Sequence, residues 1–461
     1  MQKKKIGSVF IVSLSIIILF VLWGIISPTN MGTTMQHILD FVINTFGWFY
    51  LLTTIVFVVF VIYLGFGPYS RIKLGRDEDE PEYNTYTWLA MLFAAGMGIG
   101  LVFWGVSEPI YHYMAPPEGV TPKTIDAARI ALRYSFFHWG LHPWAIYAVI
   151  ALTLAYYEFR KGEPALISVT FRPLIGDKVN GFIGKSIDTL AIIATVFGVA
   201  TSLGLGALQI NGGLSHVFGI PNSFLTQIII IVVVTVLYIL SATTGLNKGI
   251  RYLSIINLTI AGLLLLFVIT FGPTLFIIDN FTATIGRYLG NLIPMSFRLT
   301  PFTGNDWIGS WTLFYWAWWI AWAPFVGTFI ARISKGRTIR EFVLGVLFVP
   351  SVLAALWFTA FGGSALYLEM FENIPIAQAV SNDITSALFI TLEQFPLSLL
   401  LIITAIFLIG IFFITSADSA TFVLGMLSTE GALNPQNNIK IIWGLLQSAI
   451  AIVLLLSGGL G

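Results

Sequence analysis

The chain is divided into apolar runs of about 20 residues, the length an α-helix needs to cross the hydrocarbon core of a bilayer. Such runs lie near residues 9–27, 46–65, 87–107, 131–157, 186–212, 223–243, 251–272, 308–331, 340–365, 396–427 and 438–459. No water is available in the bilayer core to satisfy backbone N–H and C=O groups, so these runs must fold as helices with internal hydrogen bonding. Composition agrees: 57% of the residues are hydrophobic and 10% charged, against about 25% charged in soluble domains. The expected fold class is all-α, a polytopic membrane protein with eleven readable spans. Segments 276–298 and 374–394 mix apolar and polar residues at helical spacing and are expected to lie along the outer surface, or to form part of a gate.

Basic residues set the expected orientation. With the N-terminus in the cytoplasm, the lysines and arginines fall on the inner side, except Lys123, Arg129, Arg133, Arg287 and Arg298, as the positive-inside rule requires. The opening stretch MQKKKIGSVFIVSLSIIILFVLWGII imitates a signal peptide. Its apolar run is too long for one, and no small-x-small cleavage site follows, so it reads as a retained span. The absence of cysteine excludes thiolate chemistry and cysteine-ligated metals. The histidines form no spaced metal motif; His138 and His142, one turn apart, read as helix-packing residues.

The stretch Trp311 to Phe329, WTLFYWAWWIAWAPFVGTF, is unlike an ordinary span. It carries Trp316, Trp318, Trp319 and Trp322 within seven residues. Membrane helices usually keep tryptophan for the two interfaces. An aromatic belt with packing is one reading. The other is a cage for a cation, since a desolvated cation–π contact contributes roughly 2 kcal/mol. A quaternary ammonium solute would suit it.

Four other spans carry unusual chemistry. The third reads AAGMGIGLVFWGVSEP, with Gly96, Gly98 and Gly100 in mid-membrane, where each glycine costs about 1 kcal/mol of helix propensity. Small-residue helix packing is one explanation. A discontinuous helix whose freed backbone groups face a cavity is the other, and GxG spacing favours it because GxG does not make one packing face. Glu108 closes this span as a solvated or hydrogen-bonded end residue. The fourth, FFHWGLHPWAIY, sets Trp139, Trp144 and Tyr147 on an arc that can face one neighbour, with a bend expected at Pro143. The fifth supplies Thr195, Thr201 and Ser202, and the tenth supplies Thr415, Ser416, Asp418, Ser419 and Thr421. Such hydroxyls either bond back to their own helix or offer oxygen to a hard ion such as Na⁺. Asp418 is an intramembrane acid and so a candidate proton or ion residue.

Taken together, GMGIG, WGLHPWAIY, FYWAWWIAWAPFVGTFIARISKGRTIREF and ITSADSATFVLGMLS resemble the betaine/choline/carnitine transporter family, nearest its bacterial sodium-coupled glycine betaine carriers. The resemblance implies twelve spans, the last ten forming two inverted five-helix repeats. The chain would then divide into 1–86, a first repeat over 87–275, a surface helix over 276–307 and a second repeat over 308–461, whose final helix and cytoplasmic tail are missing. Trp139, Trp144, Tyr147 and Trp319 would form an aromatic box, with Trp318 and Trp322 on the path. Gly96, Met97, Gly98 and Gly100 would be the unwound segment beside the substrate carboxylate. One Na⁺ site would use Ala94, Met97, Phe412, Thr415 and Ser416; a second would use Thr195 and the Phe325 region. Val199 stands where a second hydroxyl is found in sodium-coupled relatives, which weakens the second site. Gly100 stands where choline carriers thought to couple to protons have an aspartate, which favours betaine with sodium. Relatives form trimers.

The resemblance thus implies Na⁺-driven import of glycine betaine or a similar osmoprotectant at the cell membrane, with no cofactor. The alternatives are a proton-coupled choline or carnitine carrier of the same family, or a channel or sensor. An enzyme is disfavoured, because neither Asp418 nor Asp188 has a catalytic histidine near it in sequence.

Overall fold

The computed structural model describes residues 7–96, 98–244, 249–304 and 306–458. Among these residues it is built of helices and contains no strand beyond one isolated bridge between Lys73 and Thr338. Each apolar run expected from sequence lies in a helical stretch. α1 spans Ser8–Ile26, and α2 spans Pro28–Phe66, with proline at its first turn where the missing N–H costs nothing. α2 therefore begins well before the apolar run at 46, because the polar stretch that precedes it continues the same helix. α3 is Thr85–Gly96 and α4 is Gly98–Met114; the two helices lie at 64° to each other, as in a broken span or a re-entrant loop. α5, Ile125–Trp139, and α6, Leu141–Ala155, form another interrupted stretch.

The remaining long helices are α7 at Phe182–Phe218, α8 at Phe224–Thr244, α9 at Gly249–Phe271 and α10 at Thr274–Ser296. α11 runs Asp306–Ile333 with a π-turn at Gly309–Leu313, and α12 runs Ile339–Phe371 with a π-turn at Leu344–Phe348. Two short helices, α13 at Ile376–Asn382 and α14 at Ala387–Glu393, precede α15 at Ser398–Ser428 and α16 at Asn437–Leu456.

Burial sorts these helices into a centre and a rim. In their most apolar windows α7 and α11 are 72% buried, against 22% for α1 and 33% for α8. Aliphatic side chains such as Leu19, Ile26, Val232 and Leu240 face outward on the rim helices. That is the arrangement expected where the solvent is lipid: apolar surface carries no penalty outside, and the residues with special chemistry collect inside.

The interruption in the fourth apolar run falls at Gly140 rather than at Pro143. Gly140 adopts φ −96°, ψ −127°, and a Cβ there would run into the Phe136 carbonyl oxygen, so only glycine fits. Pro143 is then the third residue of α6, where its missing N–H would have had no helical partner. The freed amide of Leu141 donates to Tyr288 Oη at 3.3 Å, and His142 Nε2 pairs with Ser296 Oγ at 2.9 Å. Both partners lie on α10, which is therefore more than a surface helix: one face supports the break in the neighbouring span.

One end of the bundle is tied by polar contacts. Leu74 N donates to Arg337 O at 2.8 Å and Gly336 N to Leu74 O at 2.8 Å, while Arg160 pairs with Asp77 and Arg332 with Glu82, each at 2.8 Å. The Arg160 guanidinium holds the Asp77 carboxyl below the usual carboxylate range. Arg337 also lies over the Trp88 ring at 3.9 Å.

Candidate functional site

The centre of the bundle is aromatic. Trp139, the last residue of α5, meets Trp319 of α11 edge to face with centroids 4.9 Å apart. Trp144 and Tyr147 of α6 are perpendicular at 5.6 Å, and Tyr147 lies 6.4 Å from Trp319. Trp318 stacks on Trp319 at 4.8 Å with 12° between planes, and Trp322 stands across both at 6.3 and 6.4 Å. All six rings are buried. Aromatic rings of the fourth and eighth apolar runs thus come together, edge to face. Trp316 does not join them; it stacks on His142 at 5.3 Å, facing away along the same helix.

The glycine segment touches the same rings. A Cβ on Gly96 would fall 2.6 Å from Trp144 Cη2, and one on Gly100 would fall 2.8 Å from Trp139 Cη2 and 3.5 Å from Trp318 Cη2. Gly98 faces the other way, where a Cβ would meet Phe412 Cδ1 at 2.7 Å and Ser416 Oγ at 3.2 Å on α15. Glycine spaced by two thus serves two faces, one toward indoles and one toward hydroxyls. Met97, expected at the centre of this segment, lies outside the described residues.

Beside the break, Ser416 Oγ donates to the Ala94 carbonyl at 3.2 Å, and Thr415 Oγ1 donates to Ile411 O at 3.0 Å and Phe412 O at 3.2 Å. Four of the residues expected around an ion, Ala94, Phe412, Thr415 and Ser416, are therefore gathered between α3 and α15. For the second expected site, Thr195 of α7 is buried and its hydroxyl has no hydrogen-bond partner among the described residues. Phe325 of α11 is buried 5.7 Å from Trp322, whose indole N–H donates to Gly198 O at 2.5 Å. Val199, one turn beyond Thr195, is buried as an aliphatic residue.

Asp418 is held by Ser241 of α8, whose hydroxyl donates to Oδ2 at 2.5 Å; Oδ1 has no partner among the described residues. Asp188 accepts from both the amide and the hydroxyl of Ser168, at 2.9 and 2.7 Å, and so fastens the 168–171 turn to α7.

Glu108 has a larger role than its sequence position suggests. Glu108 is fully buried with four hydrogen-bond partners: Trp139 Nε1 at 2.6 Å and Tyr315 Oη at 2.7 Å donate to Oε2, and His138 Nδ1 at 2.7 Å and His112 Nε2 at 3.2 Å pair with Oε1. It is no solvated helix end. The i, i+4 spacing of Glu108 and His112 was the available signal, but the covering helices α5 and α11 come from elsewhere in the chain.

The comparison with known proteins follows this geometry. Residues 8–461 match the family described as betaine/carnitine/choline family transporter. Over 99% of the chain and 89% of the relative, 55% of residues are identical to the glycine betaine transporter OpuD of Bacillus subtilis. The ectoine/hydroxyectoine transporter of Virgibacillus pantothenticus is 49% identical over 100% of the chain and 92% of its own length. A probable glycine betaine transporter of Desulfitobacterium hafniense is 45% identical over 99% of the chain and 91% of its own length. With its apolar helices and interrupted central span, this chain is a polytopic membrane transporter and not an enzyme, and it belongs to the betaine/carnitine/choline transporter family.

Proposed function

We propose that the protein imports glycine betaine, or a zwitterion of the same charge pattern, across the cell membrane together with Na⁺ by alternating access, with its N-terminus in the cytoplasm. The observation that carries this reading is the meeting of Trp139, Trp144, Tyr147 and Trp319 at the glycine break between α3 and α4. Ring faces attract a methylated ammonium, and a desolvated contact is stronger than an exposed one. The substrate carboxylate would be met by backbone amides freed at the break, which explains why no arginine or lysine is needed there. Trp144 Nε1 and Tyr147 Oη, buried and without partners among the described residues, supply two further donors for it. Leaving such donors unmet costs about 1–3 kcal/mol each, so a carboxylate ligand would stabilise this arrangement.

Na⁺ enters this reading as cargo. Carbonyls of Ala94 and Phe412 with the hydroxyls of Thr415 and Ser416 offer the oxygen donors that a hard cation prefers, adjacent to the segment that would hold the substrate. An ion there would favour the backbone conformation that the carboxylate needs, which couples the two bindings. Thr195 would contribute to a second ion site, weakened by Val199.

Ectoine is the second substrate to test, since the relative from Virgibacillus pantothenticus is named for it. It also pairs a delocalised cation with one carboxylate. Uptake of labelled glycine betaine into proteoliposomes, driven by an inward Na⁺ gradient and compared with an equal K⁺ gradient, tests the function. Accumulation only with Na⁺ is expected. Accumulation under both, or neither, defeats the coupling, and ectoine competing better than betaine reassigns the substrate.

A further inference from the structure

The carboxylate of Glu108 lies outside the ring of aromatic faces yet holds it together. Trp139 and Tyr315 donate to the same oxygen; Trp139 is itself a ring of the box, against Trp319 at 4.9 Å, and Tyr315 lies nearly parallel to Trp318 and Trp319 at 6.0 and 5.7 Å. The second oxygen is occupied by His138 and His112, and His138 Nε2 continues to Thr312 Oγ1 at 2.9 Å. Glu108, His112 and His138 are close enough to grip a metal ion. A carboxylate has about four lone-pair positions, however, and all four already face hydrogen-bond partners from the protein. The carboxylate is fully partnered, while His112 Nδ1 is buried without a partner among the described residues.

Burying a carboxylate in a membrane protein is costly, and no lysine or arginine is among its partners. Its use follows from what it bonds. An indole N–H or phenol O–H that donates to an anion forms a strong, charge-assisted bond, which fixes the ring in place. It also leaves more electron density on the ring, deepening the negative face that attracts a cation. Resting on the proposed function above, we propose that Glu108 is a positioning and polarising residue for the aromatic box, one that makes the box select for positive charge without touching the substrate itself.

The test uses the full chain in proteoliposomes, comparing it with Glu108→Gln. Glutamine keeps the shape and can still accept from Trp139 and Tyr315, turning its NH₂ toward His138 and His112, whose tautomers can adapt; what it removes is the charge. Two solutes are measured: glycine betaine, and 3,3-dimethylbutanoate as a competitor, which has the same shape with a neutral quaternary carbon in place of nitrogen. Loss of the charge is expected to raise the betaine KM about tenfold, with the maximal rate within about twofold. Inhibition by 3,3-dimethylbutanoate should stay within about twofold of that seen with the unmodified chain, because it depends on shape alone. An unchanged betaine KM, or equal weakening of both solutes, overturns the inference. Absence of saturable betaine uptake by the unmodified chain overturns the proposed function itself, and this inference with it.

Discussion

Trp139 and Trp319 come from helices far apart in the chain and meet edge to face at 4.9 Å, each with its indole N–H already engaged: Trp139 by Glu108 and Trp319 by the His138 carbonyl at 3.0 Å. Their polar edges are fixed and their faces are left for something else.

Trp319→Leu preserves apolar bulk but removes the face. The betaine KM is expected to rise at least about tenfold, equivalent to roughly 1.4 kcal/mol. Concentration-dependent uptake measures it, and an unchanged KM removes Trp319 from the box.

Gly100→Ala places a methyl group 2.8 Å from Trp139 Cη2, too close for the ring to stay where it is. Transport should fall sharply. Gly262→Ala on α9, where a Cβ meets nothing within 4 Å, serves as the control and should transport normally. Equal behaviour of the two variants would show that the close approach of glycine to indole has no functional weight.

Ser416→Ala removes the hydroxyl that reaches the Ala94 carbonyl. Half-saturation by Na⁺ should shift upward about tenfold, while betaine affinity at saturating Na⁺ changes little, as expected for a ligand acting through linkage. Val199→Thr should act in the opposite sense, lowering the Na⁺ concentration required, if the Thr195 region binds an ion. Na⁺ titration of uptake reads both.

Glu158 follows the end of α6, and burial pushes its carboxyl up to about 7, with Arg332 favouring the charged form and Glu82 opposing it. The unfolded chain releases this proton near 4.5, so the folded state holds it over the window between the two values. Stability should therefore fall as pH rises through that window. Glu158→Gln should melt higher than the unmodified protein at pH 8 and converge with it toward pH 5. Parallel melting curves at both pH values would contradict this.

Much of the arrangement was legible because its causes are local. A run of apolar residues long enough for the bilayer must be helical, and Gly96, Gly98 and Gly100 weaken a helix wherever they stand. Trp318, Trp319 and Trp322 could be singled out because tryptophan is unusual away from the membrane interfaces. What escaped depends on contacts between distant segments. Glu108 looked like a helix end because nothing in its own span shows that Trp139 and Tyr315 close over it. Pro143 is the evident breaker in its run, and the sequence does not say that Tyr288 of α10 stands ready to take the freed amide of Leu141 at Gly140. Trp316 was grouped with its neighbours, although its direction on the helix carries it to His142.

The central claim is that indole and phenol faces from α5, α6 and α11 surround a methylated nitrogen. Determining the structure with glycine betaine and Na⁺ bound tests it most directly. The account predicts the trimethylammonium group within about 6 Å of the ring centroids of Trp139, Trp144, Tyr147 and Trp319, with its carboxylate at the backbone between Gly96 and Gly100. Betaine bound elsewhere, with these rings still packed only on one another, would contradict it.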